Sequence, residues 1–344
     1  MRAIRVDVFG QINGQEVHRY QLENEAGYRL SVMNYGATIL EYQVPDRLGM
    51  TANIIVGYDS LQAYIGNSPK HGASIGPVAG RIGQAQFTLQ GESYELEVNH
   101  ATNCNHSGST GWDSSIFQLE EKSDKSVTFY LERPDGTGGF PGNLKIWVTY
   151  GLSEEGEVEV SYQVQTDRDT LINPTNHSYF NLSGNVFQTV DDHELTIYSR
   201  GVYPVDEVSL PALQVDGQAE FVKNLQTGVG LGKVFASQDP QIAIVNGGLD
   251  HPFLLDKSNP VAVRLYHPSS GRELIVRTDC PVAVVYTANY PDNHGENRPL
   301  HNGIALEMQR LPNAIHRPEK EQVILRAGEI FTSTTTYQAS VVTV

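Results

Sequence analysis

Leu144-Lys-Ile-Trp-Val-Thr-Tyr150 and Glu157-Val-Glu-Val-Ser-Tyr-Gln-Val164 both repeat with a period of two. Leu144, Ile146, Val148 and Tyr150 alternate with Lys145, Trp147 and Thr149, and Val158, Val160, Tyr162 and Val164 alternate with Glu157, Glu159, Ser161 and Gln163. Side chains of a strand point to opposite faces in turn, so this pattern predicts half-buried antiparallel strands with one dry and one wet face. Similar runs follow at Phe87 to Leu96, where Gln90-Gly91 marks a hairpin turn, and at Val127 to Leu131, Val261 to Tyr266, Leu274 to Arg277 and Ile330 to Tyr337. No stretch of about 12 residues holds a helical period, and the best helical candidate is Ser60 to Ile65. Strands at this density predict an all-β sandwich. No proline-rich linker, low-complexity tract or internal repeat divides the chain, which is expected to form one domain over residues 1–344. Asn246-Gly-Gly248 reads as a flexible loop.

Two segments place an ionisable side chain inside an apolar, strand-like run: Thr175-Asn-His-Ser-Tyr-Phe-Asn-Leu182 and Ala305-Leu-Glu-Met-Gln-Arg-Leu-Pro312. In the second, residues 305, 307 and 309 share a face, so Leu306 and Met308 are expected in the core while Glu307 and Gln309 face a cleft. His177 and Glu307 form a candidate acid and base. Taken singly, His177 and Glu307 are better accounted for as a satisfied core histidine and a salt-bridged edge glutamate.

Composition narrows the classes. With 344 residues, 39% hydrophobic, 32 Gly and 17 Pro, the chain can fill a core while turning often. A formal charge of −16 with no basic run argues against nucleic acid, whose binding rests on neutralising phosphates. Cys104 and Cys280 stand far apart without metal-ligand spacing, so neither a disulfide framework nor a structural zinc site is expected, and a reducing cytoplasm fits. The opening MRAIRVDVFG lacks the apolar run of a secretory signal, and no membrane-length apolar stretch occurs. Composition leaves the oligomeric state open.

These runs, with others in the same order, resemble the aldose 1-epimerase (galactose mutarotase) family over nearly the whole chain. The matching motifs are Asn34-Tyr-Gly-Ala-Thr38, Gly80-Arg-Ile82, Asn103-Cys-Asn-His-Ser-Gly108 with Gly111-Trp-Asp113, Phe140-Pro-Gly-Asn143, TNHSYFNL, Tyr203-Pro-Val-Asp-Glu207, Gly248-Leu-Asp-His251 and LEMQ before Leu311-Pro312. The resemblance implies a large twisted antiparallel β-sandwich with a sugar cleft. It also implies interconversion of the α and β anomers of a hexose such as galactose or glucose, with Glu307 as base, His177 as acid, and Arg81, His106 and Asp250 on the sugar hydroxyls. A planar forked donor, a ring donor and a bidentate acceptor suit vicinal hydroxyls. No cofactor or metal is implied, and the partner is a small-molecule sugar rather than a membrane.

Trp112, Tyr179, Phe180 and Tyr286 are candidates for stacking on the sugar, with the core as the alternative for each. His71, His100, His251 and His301 lack ligand-like pairing and read as structural or surface residues. The chain departs from the family at Gly80, where many relatives carry asparagine, at Val284, where they carry glutamine, at Asn313 after Leu311-Pro312, and at Gly76-Pro77. Loss of polar side chains at 80 and 284 predicts a wider site open to a reducing disaccharide such as maltose, unless Asn289 or Gln309 restores the contacts. Competing readings are a glycosidase using Asp250 and Glu307 as paired carboxylates, and a non-catalytic carbohydrate-binding protein. A hexose-6-phosphate epimerase is a further relative, but this chain shows no added arginine cluster for the phosphate.

Overall fold

The computed structural model describes residues 1–66, 69–292 and 298–342. The two alternating runs that set the expectation form Leu144–Leu152 and Glu157–Thr166, paired antiparallel in the middle of a nine-stranded sheet. Their neighbours are Ser126–Arg133 on one side and the long Ile330–Val341 on the other, followed by Arg272–Thr278, Val263–Tyr266 and Glu194–Ile197. As the alternation requires, Ile146, Val148, Val158 and Val160 are buried while Lys145 and Glu159 are exposed.

Against the dry face lies a six-stranded antiparallel sheet in the order Ser199–Val202, Asp250–Leu255, Val282–Tyr286, Ile304–Gln309, Tyr179–Phe180 and Ile55–Val56. Leu306, Met308, Val285 and Phe253 enter the core that it shares with Val148, Val276 and Tyr337. Phe180 meets Tyr337 across the layers with ring centroids 5.1 Å apart. A five-stranded sheet of the first strands, Arg5–Ile12 through Thr51–Asn53, adds Leu22, Val32 and Tyr42 to the same core. The result is an all-β sandwich. Burying both faces of the six-stranded sheet explains why Ile304–Gln309 is buried along its whole length.

The hairpin at Gln90-Gly91 is present between Gln86–Leu89 and Glu92–Glu95, and both turn residues have positive φ, 53° and 81°. The helix at Ser60 to Ile65 shortens to Leu61–Tyr64. Glu220–Thr227 was not foreseen; it buries only Phe221, Val222 and Leu225 over two turns, too short a stretch for periodicity to reveal. Residues 246–248 are held rather than free. Asn246 Nδ2 donates to Asn289 O, and a Cβ on Gly248 would lie 2.1 Å from Asn289 Oδ1, so only glycine fits there.

Candidate active site

The face of the six-stranded sheet turned away from the shared core forms the floor of a cavity of about 360 Å³. Cross-strand pairing places Asp250 beside Tyr286, and Glu307 opposite Val284. Glu307, Asp250, Arg81, His106 and His177 all line this cavity, so the structure brings together the five residues singled out in the sequence.

His177 stands where the chain changes sheets. Thr175–Asn176 pairs with Ser74–Ile75, whereas Tyr179–Phe180 pairs with Ile304–Gln309, and the intervening residues belong to neither ladder. The TNHSYFNL run is thus two short strands with a break, not the continuous strand that its apolar character predicts. Main-chain bonds fix the break: His177 N–H donates to Ala73 O (2.9 Å), and Gly72 N–H donates to His177 O (3.0 Å). Asn176 Nδ2 donates to Gly72 O (3.0 Å), so the amide-rich composition serves the backbone.

The imidazole Nε2 of His177 lies 3.5 Å from Glu307 Oε1, and both side chains are almost wholly buried. Burial, then the neighbouring Asp250, raises the Glu307 carboxyl to about 8, opposed by Arg81. Burial, reinforced by His71, lowers His177 to about 3. Two ionisable groups in contact titrate as a unit, so between these limits the pair holds one proton.

His106 sits at φ 51° with its N–H on Gly80 O (3.0 Å), and Gly80 N–H donates to His106 Nδ1 (3.2 Å). Nδ1 is therefore the acceptor, and Nε2 carries the hydrogen. Its ring is perpendicular to that of His177 at 5.3 Å, and burial holds it well below the ordinary histidine value. Arg81 Nη2 approaches Asp250 Oδ2 at 3.4 Å, which is loose for a charge-assisted bond. That spacing leaves both groups able to turn toward hydroxyls.

His106, His177 and Glu307 place their ligand atoms close enough for a metal ion, as do Asp192, His193 and His267 elsewhere. The hydrogen bonds disfavour both. A metal on His106 Nε2 would move the proton to Nδ1, where Gly80 N–H already points. Likewise His193 Nε2 accepts Leu182 N–H (2.9 Å), which leaves His193 Nδ1 protonated toward Asp192. Exhaustive dialysis against EDTA is accordingly expected to leave turnover within about twofold of its starting value, and restoration of a lost activity by a divalent ion would refute this.

Several sequence readings change. His71 and His100 line the cavity instead of lying in the surface or core. His71 Nε2 is 3.4 Å from Asp292 Oδ2, a partner 221 residues away that no local pattern could announce. Lys70 and Asn105 were also missed. Tyr179 and Tyr286 line the cavity, while Trp112 and Phe180 are core. Gln309 is fully buried and outside the lining, and Asn289 is occupied with Val245 O, Leu249 O and Thr287. Neither position thought to widen the site does so: Gly80 has φ 72°, and its Cβ would strike Pro312 at 2.9 Å, while Val284 packs with Tyr203 and Leu311.

The aldose 1-epimerase family model matches residues 18–338. The chain is 36% identical to the galactose mutarotase of Homo sapiens over 99% of its own length and 100% of that protein. It is 32% identical to the aldose 1-epimerase of Escherichia coli K12, covering 95% and 96% of the two chains. The crystal structure of galactose 1-epimerase from Lactobacillus acidophilus superposes with a TM-score of 0.87 at 29% identity, covering 98% of each chain. With the fold, the clustered site and the full-length matches in agreement, this chain belongs to the aldose 1-epimerase family.

Proposed function

We propose that the protein interconverts the α and β anomers of hexoses such as galactose or glucose, with Glu307 and His177 moving the protons. Glu307 takes the proton of the C1 hydroxyl and His177 gives one to the ring oxygen, so the C1–O5 bond opens to an aldehyde. Rotation about C1–C2 exposes the other face of the carbonyl, and reclosure runs both transfers backward. Arg81, His106 and Asp250 hold hydroxyls: the guanidinium and His106 Nε2–H donate, and the Asp250 carboxylate accepts. No cofactor takes part. The whole chain acts as one domain in the cytoplasm, a reading supported by the two buried free cysteines, and its partner is the sugar rather than nucleic acid or membrane. Among the described residues no helix is long and apolar enough to cross a membrane.

The observation that carries this reading is the 3.5 Å approach of His177 to Glu307 inside the cavity. The working form, a carboxylate beside an imidazolium, contains the same single proton as the resting form, a carboxylic acid beside a neutral imidazole. Transfer within the pair therefore readies the site without exchange with solvent. Polarimetry on freshly dissolved α-galactose and α-glucose is expected to show faster mutarotation, whereas unaccelerated mutarotation, or release of new reducing ends from a disaccharide, would overturn the assignment.

The same pairing sets the pH dependence. Above about 8 the pair of the free enzyme loses its shared proton, so kcat/KM is expected to fall tenfold per unit at high pH, and to decline on the acid side only toward about 3. A profile centred on an ordinary histidine value would show that His177 titrates alone.

A further inference from the structure

His177 is clamped from both sides by the side chain of the residue before it. Asn176 Nδ2 donates to Gly72 O (3.0 Å), and Asn176 Oδ1 accepts Ser178 N–H (3.1 Å). Gly72 N–H in turn donates to His177 O (3.0 Å), so residues 72, 176, 177 and 178 close a ring of hydrogen bonds around the main chain that carries the imidazole. The arms of the amide cannot be exchanged, because a flip would set oxygen against Gly72 O and NH2 against Ser178 N–H. At neutral pH no other side chain of this size offers a donor on one arm and an acceptor on the other.

Gly72 gives the clamp a fixed end. Its φ is 70°, a Cβ there would lie 2.0 Å from Ile39 O, and its carbonyl also accepts Ile39 N–H (2.9 Å). Beneath the clamp lies a buried cluster of hydroxyls. Ser74, the ladder partner of Asn176, has its Oγ 2.9 Å from Tyr150 Oη and 3.1 Å from Tyr162 Oη, and Asn176 Nδ2 is 3.5 Å from Tyr150 Oη. Tyr150 and Tyr162 belong to Leu144–Leu152 and Glu157–Thr166, so the clamp is footed in the middle of the nine-stranded sheet. Burial raises both phenols, which stay neutral at every pH used below.

Asn176 is 4% exposed and lies outside the cavity lining, so it does not touch the sugar. A fully engaged buried network of this kind fixes one arrangement where apolar packing would allow several. We propose that Asn176 is a positioning residue for the proton transfer: its amide sets where His177 stands against Glu307, and the hydroxyls beneath hold the amide. This rests on the acid–base reading above and names the group on which the 3.5 Å approach depends. Such a gap is sensitive, since a misplacement of about one ångström can cost on the order of 10²-fold in rate.

The test is Asn176→Asp, with kcat and KM measured by polarimetry on α-galactose and α-glucose from about pH 5 to about pH 7.5, below the melting temperature of the variant at each pH. The new carboxyl has the shape of the amide. Ionised, it sets a negative oxygen against Gly72 O and the clamp opens; protonated, its O–H donates to Gly72 O while its carbonyl accepts Ser178 N–H, and the clamp closes again. Burial and the facing carbonyl raise this carboxyl above the ordinary value of about 4. At the upper pH kcat/KM is expected to lie about tenfold or more below wild type, with the loss in kcat and not in KM, and at the lower pH to return to within about threefold. Full activity at the upper pH, or a loss that acid does not relieve, would overturn the role of Asn176. If Asn176→Asp does not fold, Asn176→Ser replaces it: the hydroxyl is too short to span both partners and does not ionise. Its kcat should fall about tenfold and the alkaline limb of kcat/KM should move away from about 8, as in His177→Asn, whereas an unmoved limb refutes the proposal. Full kcat in His177→Asn would sink the acid–base reading itself; an impaired His177→Asn beside an unimpaired Asn176→Asp would sink this inference alone.

Discussion

Replacing Glu307 with Gln is expected to lower kcat by on the order of 10²-fold or more while making the folded protein more stable at alkaline pH. The amide keeps the size of the carboxyl and cannot accept the anomeric proton, so the loss falls on turnover. The stability gain follows from where the carboxyl sits. Its folded value of about 8 lies above the ordinary 4.5, because burial and Asp250 disfavour the charge. Below about 4.5 both folded and unfolded chains keep the proton, and the favourable contribution of the neutral group is complete. As pH rises toward 8 the unfolded chain releases its proton and the folded chain does not, so this contribution is progressively lost. Glutamine has no proton to release. Thermal melts of the two proteins should therefore coincide near pH 4.5 and diverge above it, with Glu307→Gln ahead by up to a few kcal/mol near pH 8. Normal mutarotation in Glu307→Gln would remove Glu307 from the mechanism, and a melting temperature below wild type at pH 8 would show that the carboxylate is stabilised rather than penalised by its surroundings.

Replacing His177 with Asn should cost kcat on the order of 10²-fold as well, with the fold retained. Asparagine can donate a hydrogen bond to the ring oxygen but cannot protonate it. The main chain at 177 is fixed through Ala73 and Gly72, independently of the side chain, so the break between the strands should persist. Loss of the ring leaves Glu307 without its proton partner. The alkaline limb of the pH profile should then report a lone buried carboxyl, a change that a purely structural histidine would not produce. Failure of His177→Asn to fold would return His177 to the core, and unchanged kcat would deny it any part in proton transfer.

The half of the fold that was legible is the half with one wet face. Leu144–Leu152 and Glu157–Thr166 announce themselves because every second residue meets solvent, yet nothing in them reveals that Glu157–Thr166 pairs with Ile330–Val341, far along the chain. Ile304–Gln309, dry on both faces, carries no alternation, and Glu307 stood out within it only as a charge among apolar residues. Gln309 shows the limit of that reasoning: sharing a face with Glu307 does not place it in the cavity, since the face itself is covered farther along. His71 and His100 became site residues through tertiary contact alone. The clustering of Arg81 and Asp250 was equally unreadable locally, for they are 169 positions apart.

The break at His177 has a mechanical consequence. Of the two proposed proton carriers, His177 is anchored by its main chain to Gly72 and Ala73, just ahead of the two-residue ladder at Ser74–Ile75, and Glu307 rides in the middle of the six-stranded sheet. The gap between His177 and Glu307, which the proton crosses in the proposed reaction, is thus a joint between two separately braced parts, not a property of either. Displacing one part by a single ångström would break the 3.5 Å contact while every strand kept its own hydrogen bonds. On the proposed mechanism, catalysis is a gauge of alignment, and damage to the core beneath the joint would be felt in turnover before it was visible as lost secondary structure.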